Sequence, residues 1–293
     1  MQQQAERTDA GREFVFTSAD FQRIAKLIYE HAGISLAASK QEMVYSRLAR
    51  RLRARNLTRF GDYVTMLETT KDPAEWEAFV NSLTTNLTSF FREPHHFVEL
   101  AKFLERRRGR AEPITIWCAA ASTGEEPYSL AMTAIDAFGS FTPPVTIVAT
   151  DLDTSVLAKA SSGIYAEERV DKMKPEQLRK FFLKGSGANA GSVRVRQELR
   201  DLITFRPLNL LDSKWPVRGP FDAIFCRNVM IYFDKPTQRK VLQNLAPQLR
   251  PDGLLFAGHS ESFLHSADVF RLKGNTVYEL APACKLAQAP ATR

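Results

Sequence analysis

Cysteine is scarce in this sequence: the 293 residues include only Cys118, Cys226 and Cys284, and no Cys-x-x-Cys pair occurs. Because there is no histidine-rich cluster either, we expect neither a disulfide framework nor a metal site. No apolar run approaches the roughly 18 residues that a membrane-spanning helix needs, which excludes an integral membrane protein. The polar segment from Met1 to Arg12 is not a signal peptide, so we expect a cytoplasmic protein.

Apolar and charged residues are present in the proportions of a globular protein. Hydrophobic residues make up 44% of the chain and charged residues 25%, and 20 phenylalanines can fill a core. The 40 Lys and Arg residues exceed the 33 Asp and Glu residues by seven. This excess favours an acidic partner, which could be nucleic acid, an anionic membrane face or an acidic protein surface.

The first part of the chain shows a helical pattern, with apolar residues at spacings of three and four. Helices are predicted from Thr17 to Gly33, from Lys40 to Arg55, from Phe60 to Glu68 and after Pro73. No alternating strand pattern interrupts them. We therefore predict a helical N-terminal domain over residues 17–96, preceded by a flexible segment over residues 1–16.

After Pro113, short apolar runs alternate with helical stretches. Most of these runs are continuously apolar or β-branched, which is typical of strands buried on both faces of a parallel sheet. The pattern predicts a doubly wound α/β domain over residues 97–280 and a flexible tail over residues 281–293. The predicted strands are Ile114–Cys118, Val145–Thr150, Ile203–Arg206, Phe221–Cys226, Leu254–Gly258 and Val277–Leu280, with helices at 127–138, 154–162 and 235–249.

Residues 164–200 are too numerous for a plain connection between a helix and a strand. They contain a helix signal after Pro175, a glycine-rich stretch and an alternation of valine and arginine from Val193 to Arg196. These features predict a small inserted hairpin subdomain.

The loop after the first strand, from Ala119 to Pro127, consists mainly of small residues that let a ligand approach the backbone. The second strand ends at Asp151, where an acidic side chain can bind ribose hydroxyls. The alternative is a tight turn with a carboxylate that stabilises a helix dipole. The glycine fingerprint of dinucleotide binding is missing, and Glu125 and Glu126 would repel a pyrophosphate, so a cationic ligand suits this loop better.

S-adenosylmethionine is such a cationic ligand, and four motifs in order make a resemblance specific: Asn86–Glu93, Ala121–Ser129, Asp151–Asp153 and Phe221–Phe233. Together they resemble the motifs of the CheR family, the chemotaxis-receptor glutamate methyltransferases, over about Thr17 to Leu280. The resemblance implies a Rossmann-like S-adenosylmethionine-dependent methyltransferase domain of the α/β class. It also implies a helical N-terminal domain, a small inserted antiparallel β-subdomain and S-adenosylhomocysteine as product, with no metal.

The resemblance also implies the site residues. Arg92 and Tyr232 are the catalytic candidates, which we expect to orient the acceptor carboxylate. The plain alternatives are a turn cap for Asn209, a surface ion pair for Arg227 and a core position for Tyr232. The implied cofactor-binding residues are Asn86, Thr88, Arg92, Glu126, Asp151, Asn209, Leu210, Arg227 and Asn228.

Two regions are predicted to bind the partner. The stretch from Lys40 to Arg59 carries seven cationic residues against one acid, and Arg47, Arg50 and Arg51 fall within one arc of a helix. A solvated basic face is the plain explanation, and we expect the three to tolerate neutralisation without loss of fold. The family implies that such a face meets the acidic methyl-accepting helices of a receptor.

The second predicted partner region is the insertion. In some family members it docks a C-terminal peptide tether of the receptor, and Gly185, Gly187, Arg194 and Arg196 occupy that region here. The membrane is then reached only through the receptor.

Two other functions remain open. A nucleic-acid methyltransferase would suit the basic charge, but the Asp/Asn-Pro-Pro-aromatic signature is missing and the basic helix has few aromatic residues for base stacking. We therefore expect no nucleic-acid partner. The other function is a non-catalytic sensor that binds S-adenosylmethionine.

Overall fold

The computed structural model describes residues 12–284, and the chain divides into two compact units. One unit comprises the chain up to Thr85 together with Tyr232–Asp234, and the other comprises Asn86–Ile231 and the chain from Lys235 onward. This division falls earlier than the predicted boundary between residues 96 and 97. Of the predicted flexible ends, residues 1–11 and 285–293 lie outside the described residues.

The first unit is helical, as predicted. Thr17 begins the first helix with a capping box, in which its hydroxyl accepts from the Asp20 amide and the Asp20 carboxylate accepts from the Thr17 amide. Gly33 ends that helix in the left-handed conformation, with φ of 68°. The α-helices described in this unit are α1 (Ser18–Ala32), α2 (Gln41–Ala54), α3 (Phe60–Thr70) and α4 (Pro73–Leu83).

The second unit contains the strands. Those described are β1 (Ile114–Cys118), β2 (Val145–Asp151), β3 (Ile164–Ala166), β4 (Phe182–Lys184), β5 (Ser192–Val195), β6 (Ile203–Pro207), β7 (Phe221–Phe225), β8 (Leu249–Phe256), β9 (Phe270–Gly274) and β10 (Val277–Leu280). Seven of them form one sheet in the order β6-β2-β1-β7-β8-β10-β9. Neighbours from β6 to β8 are parallel, whereas β10 is antiparallel to both β8 and β9. The predicted α/β sheet is therefore confirmed.

Helices accompany these strands along the chain. Those described in the second unit are α5 (His95–Glu105), α6 (Glu125–Phe138), α7 (Thr154–Ser162), α8 (Pro175–Phe181), α9 (Gln197–Arg200) and α10 (Lys235–Leu245). The helix α5 packs beside α6 and belongs to this unit. Because α5 continues the helical pattern of the first unit, the sequence shows no change of texture at the actual division. Within residues 12–284, no helix is both long and apolar enough to cross a membrane.

Two strands differ from the sequence prediction. The edge strand β9 was not predicted because only Phe270 is buried, while Arg271 to Gly274 are exposed. The strand β8 begins at Leu249 rather than Leu254, since its first half is polar and partly exposed. Both differences arise where strand formation depends on backbone pairing and not on burial of side chains.

The insertion between α7 and β6 forms its own small sheet. Its three strands are antiparallel in the order β3-β5-β4, so the predicted hairpin of β4 and β5 gains a third strand. The loop between β4 and β5 needs Gly185, because a Cβ there would lie 2.0 Å from the Asn189 carbonyl oxygen. The predicted antiparallel β-subdomain is confirmed.

Candidate functional site

The site lies where the order of parallel strands reverses. The strand β1 has β2 on one side and β7 on the other, so the chain leaves β1 in one direction and returns on the opposite side. In open α/β sheets, ligands bind in the crevice that opens at such a point, beyond the carboxyl ends of the strands. The loops after β1, β2 and β7 meet here, and they carry most of the predicted cofactor residues.

The loop after β1 approaches its neighbours too closely for larger residues. Gly124 has a φ of 99°, and a Cβ there would lie 2.7 Å from the Tyr165 hydroxyl and 2.9 Å from the Ala160 Cβ. The Tyr165 hydroxyl donates a hydrogen bond of 2.7 Å to the Thr123 carbonyl oxygen. The insertion therefore supports this loop through a side chain of β3.

Asp151 joins the ends of two strands. Its Oδ2 accepts from the Ser122 amide at 2.8 Å, and its Oδ1 accepts from the Asp153 amide at 2.9 Å. Burial raises the pKa of Asp151 to about 6, although these amide donors act in the opposite direction. Asn86 lies nearby, because its side-chain amide donates to Asp153 Oδ2 at 2.9 Å. The structure thus brings together the predicted residues Asn86 and Asp151.

A buried ion network lies on the other side of the crevice. The Arg227 guanidinium donates to Glu126 Oε2, lies 3.2 Å from Glu93 Oε2 and donates to the Arg92 carbonyl oxygen at 2.6 Å. Burial alone would lower the pKa of Arg227, but Glu126 and Glu93 outweigh it and hold that pKa above its ordinary value. Cys118 donates its thiol hydrogen to Glu126 Oε1 at 3.3 Å. Arg227 is therefore a buried, charged group and not a surface ion pair.

Asn228 is fixed by a second buried acid. Its amide donates to Glu261 Oε2 at 3.0 Å, and the Met230 amide donates to Glu261 Oε1 at 2.8 Å. Burial raises the pKa of Glu261, against three further amide donors near it. Glu261 belongs to the Gly258–Glu261 motif that contributed to the resemblance, but sequence reasoning gave it no role.

Unfavourable backbone conformations are concentrated at this site. Phe91, Glu93, Ser122 and Asn228 all have positive φ angles, of 50°, 57°, 47° and 58°. Each such residue costs on the order of 1 kcal/mol or more and persists only where the surroundings fix it. Their position on three converging segments supports a functional site.

The remaining predicted cofactor residues lie close to these segments or support them. The Leu208 amide donates to the Asp151 carbonyl oxygen at 2.9 Å, which places the following Asn209 and buried Leu210 next to the end of β2. Asn209 Oδ1 accepts from the Leu211 amide at 3.0 Å, as in the turn-cap alternative. The Thr88 carbonyl oxygen accepts from Arg169 at 2.9 Å.

The two catalytic candidates fall in different units. The Arg92 guanidinium donates to the Leu87 carbonyl oxygen at 2.7 Å, so it folds over its own segment. Tyr232 belongs to the helical unit, where its carbonyl oxygen accepts from the Ser35 amide at 2.9 Å. Their joint action on an acceptor stays a prediction.

The arginines of α2 have internal partners that the sequence did not reveal. Arg47 donates to the carbonyl oxygens of Leu83 and Thr84 at 2.9 and 2.7 Å, at the end of α4. Arg51 binds the buried carboxylate of Glu75 through Nε at 3.0 Å and Nη2 at 2.5 Å. Arg50, by contrast, is exposed. The expectation that all three can be neutralised without cost to the fold therefore needs correction for Arg47 and Arg51.

The four predicted residues of the insertion lie on or beside β4 and β5. Gly185 and Gly187 shape the loop between these strands, and Gly187 has a φ of 59°. Arg194 is exposed on the central strand β5, and Arg196 donates to the Arg179 carbonyl oxygen at 3.4 Å. Two of the four thus have a structural role whether or not a peptide binds.

Sequence reasoning missed a contact between the insertion and the site. Arg169 follows β3 and bonds to the Glu125 carboxylate, which is 1% exposed, as well as to the Thr88 carbonyl oxygen. No local pattern could have revealed it, because Arg169 and Thr88 are 81 positions apart. Glu93 was in a quoted motif, but its pairing with Arg227 was likewise missed.

Comparisons with known proteins agree with this architecture. The family model for the CheR methyltransferase SAM-binding domain matches residues 86–278, and the model for the CheR all-alpha domain matches residues 19–84. Chemotaxis protein methyltransferase 2 of Pseudomonas aeruginosa is 54% identical over 92% of this chain and 96% of that protein. The chemotaxis protein methyltransferase of Escherichia coli is 55% identical over 90% of this chain and 92% of that protein. The chain belongs to the CheR methyltransferase family.

Proposed function

We propose that this protein transfers a methyl group from S-adenosylmethionine to glutamate side chains of chemotaxis receptors. The products are glutamyl methyl esters, which serve sensory adaptation, and S-adenosylhomocysteine. The observation that carries the proposal is the pair of buried acids, Asp151 and Glu126, at the strand-order reversal of a CheR-family domain.

The chain's own residues fit the cofactor. Asp151 offers a buried carboxylate at the end of β2, which suits ribose hydroxyls. Glu126 offers acceptor capacity for the ammonium group of the amino-acid portion, and Arg227 keeps its carboxylate in place. Asn86, Thr88 and Asn228 border the same crevice, while Asn209 and Leu210 would frame the adenine. Bound S-adenosylmethionine supplies an electrophilic methyl group on a sulfonium.

The reaction demands little proton chemistry from the protein. A glutamate with an ordinary pKa of about 4.3 is already ionised near neutral pH, so it needs no general base. The enzyme must hold this carboxylate in line with the methyl group and exclude water, so that the two opposite charges disappear together. We assign the orientation of the carboxylate to Arg92 and Tyr232.

The receptor surface of the helical unit is narrower than the arginine pattern indicates. Arg47 and Arg51 are engaged internally, so Arg50 is the member of the set with an exposed charge for an acidic receptor helix. Arg47 and Arg51 support that surface from below. Steering by such charges raises association rates and is weakened by salt.

The insertion offers a groove for a receptor tether. The groove has a volume of about 820 Å³ and is lined by apolar side chains that include Leu178, Phe182 and Leu183, with Arg196 and Glu168 among its charged residues. The strand β4 forms an edge of the small sheet, which an extended peptide could extend. These features, with Gly185, Gly187 and Arg194 nearby, support docking of a receptor C-terminal peptide.

A labelling experiment tests the proposal. The enzyme acts from the cytoplasmic side, so purified protein is mixed with receptor-containing membranes and methyl-tritiated S-adenosylmethionine. We expect label in the receptor that alkali releases as methanol, and no label in a receptor whose methyl-accepting glutamates are replaced by alanine. Label in RNA would instead support the nucleic-acid methyltransferase. Cofactor binding without transfer would support the sensor.

A further inference from the structure

A cluster of three potential metal ligands lies beside the ion network of Arg227. Glu93, His95 and His96 each offer one ligand atom, and these atoms all lie within 4.8 Å of one another. The left-handed conformation of Glu93, followed by Pro94 at the start of α5, turns the three side chains to the same place. His96 is fully buried, whereas His95 is exposed.

The facing atoms of His96 and Glu93 leave a polar gap. His96 Nε2 lies 3.0 Å from the Asn275 carbonyl oxygen, which can only accept, so Nε2 carries the proton of a neutral ring. Nδ1 then presents a lone pair to Glu93 Oε2 at 3.5 Å. Neither atom has a hydrogen-bond partner, although both are buried. Two facing acceptors in a buried position are unfavourable unless a cation lies between them.

We propose that Glu93, His95 and His96 bind a divalent transition metal ion of the zinc type. Ligands about 2.0–2.1 Å from a tetrahedral zinc ion are about 3.4 Å apart, which matches the separation of Nδ1 and Oε2. The donor set of two imidazoles and one carboxylate suits zinc, cobalt or nickel better than magnesium or calcium. Three protein ligands with one on the surface leave a position for solvent, so the ion exchanges with its surroundings.

Outer contacts of the two buried ligands match those of protein metal sites. His96 donates its other ring hydrogen to a backbone carbonyl, which fixes the tautomer that frees Nδ1. Glu93 Oε1 accepts from the Asn228 side-chain amide at 3.3 Å, which leaves Oε2 for the metal. The ligands are therefore oriented before an ion arrives.

Arg227 opposes a cation here, but it is more than neutralised. Its guanidinium lies 3.2 Å from Glu93 Oε2, and it also binds Glu126. One positive and two negative charges leave the group net negative, which favours an incoming cation. The metal and Arg227 share one carboxylate oxygen, so occupancy weakens the contact between Arg227 and Glu93.

Cobalt and zinc titrations of the untagged full chain test the site. We expect a one-to-one cobalt(II) complex with the visible absorption of tetrahedral coordination, displaced by zinc. The exposed His95 can be replaced without opening the core, and we expect His95→Ala to weaken zinc binding by about tenfold or more in calorimetry. Glu93→Gln, which keeps the shape of the side chain, should weaken zinc binding similarly.

The matched control is His31→Ala, which removes an exposed imidazole from the helical unit and should bind zinc as the parent does. Absence of a one-to-one complex in the parent overturns the proposal. So does unchanged affinity in either His95→Ala or Glu93→Gln. These readouts need no methyl transfer, so they are independent of the function proposed above.

Discussion

Arg227 donates a hydrogen bond to Glu126 across 101 positions of sequence, and this contact joins the loop after β7 to the first turn of α6. A buried ion pair of this kind contributes little net stability, because desolvation offsets the attraction. Removal of one partner is costly, however, since the other charge stays buried. The pair therefore fixes the two walls of the crevice relative to each other.

Glu126→Gln should lower the free energy of unfolding by about 3 kcal/mol, since Arg227 loses its closer carboxylate while Glu93 still offsets part of its charge. Urea unfolding measures the change. The control is Asp136→Asn, which breaks an exposed pair with Lys180 and should cost about 0–1 kcal/mol. Equal losses in the two variants would contradict this account of the buried network.

Asp151→Ala should weaken S-adenosylmethionine binding by roughly 1.5–3 kcal/mol, because two ribose hydroxyls lose a charged acceptor. Calorimetric titration gives the affinity directly. Asp201→Ala, at an exposed aspartate that accepts from Gln197, serves as the control and should bind normally. Unchanged affinity in a folded Asp151→Ala protein would remove this residue from the site.

Cofactor affinity should also depend on pH through Asp151. Burial raises its pKa to about 6, so the free enzyme binds a proton there as the pH falls through that value. The ionised form is the better acceptor, and affinity should therefore decline below about pH 6 and be level well above it. Asp151→Asn cannot titrate and should show a flatter profile in the same calorimetric series. Identical profiles would assign the decline to another group.

Arg92→Ala and Tyr232→Phe should each slow methyl transfer by about tenfold or more while cofactor affinity changes little, because both are proposed to orient the acceptor. Single-turnover methylation at saturating S-adenosylmethionine separates the two effects. Tyr29→Phe is the control for Tyr232→Phe, since it removes a surface hydroxyl bonded to Asp234 in the same unit. Transfer at the parent rate in both test variants would refute the assigned roles.

The arginines of α2 should separate into two classes. Arg51→Gln should lower the free energy of unfolding by about 1–3 kcal/mol, because Glu75 is buried and keeps only Arg55 and Tyr63 as partners. Arg50→Gln should leave stability within about 0.5 kcal/mol but raise the apparent Michaelis constant for receptor. Its receptor methylation should also be less sensitive to added salt than that of the parent. A receptor constant unchanged by Arg50→Gln would make this face an ordinary solvated surface.

The sequence predicted the elements that bury apolar side chains and the motifs at the ends of β1, β2 and β7. It failed where structure depends on pairing between distant segments. The edge strand β9 has little apolar character, and Glu75 has no pattern that reveals its two arginine partners. The same limit applies to Glu93, whose quoted motif does not indicate that its carboxylate meets Arg227. Long-range polar contacts of this kind leave no periodicity in the chain.

The support that Tyr165 and Arg169 give to the loops around the crevice has a consequence for protein engineering. Although residues 164–200 form their own sheet, they are not a detachable module: their deletion would remove the hydroxyl that holds Thr123 and the guanidinium that holds Thr88. A graft of another insertion would transfer docking specificity only if it also carried these two anchors. Swaps that exchange only the edge strand and the loop between β4 and β5, and leave both anchors in place, are therefore the practical way to redirect this enzyme.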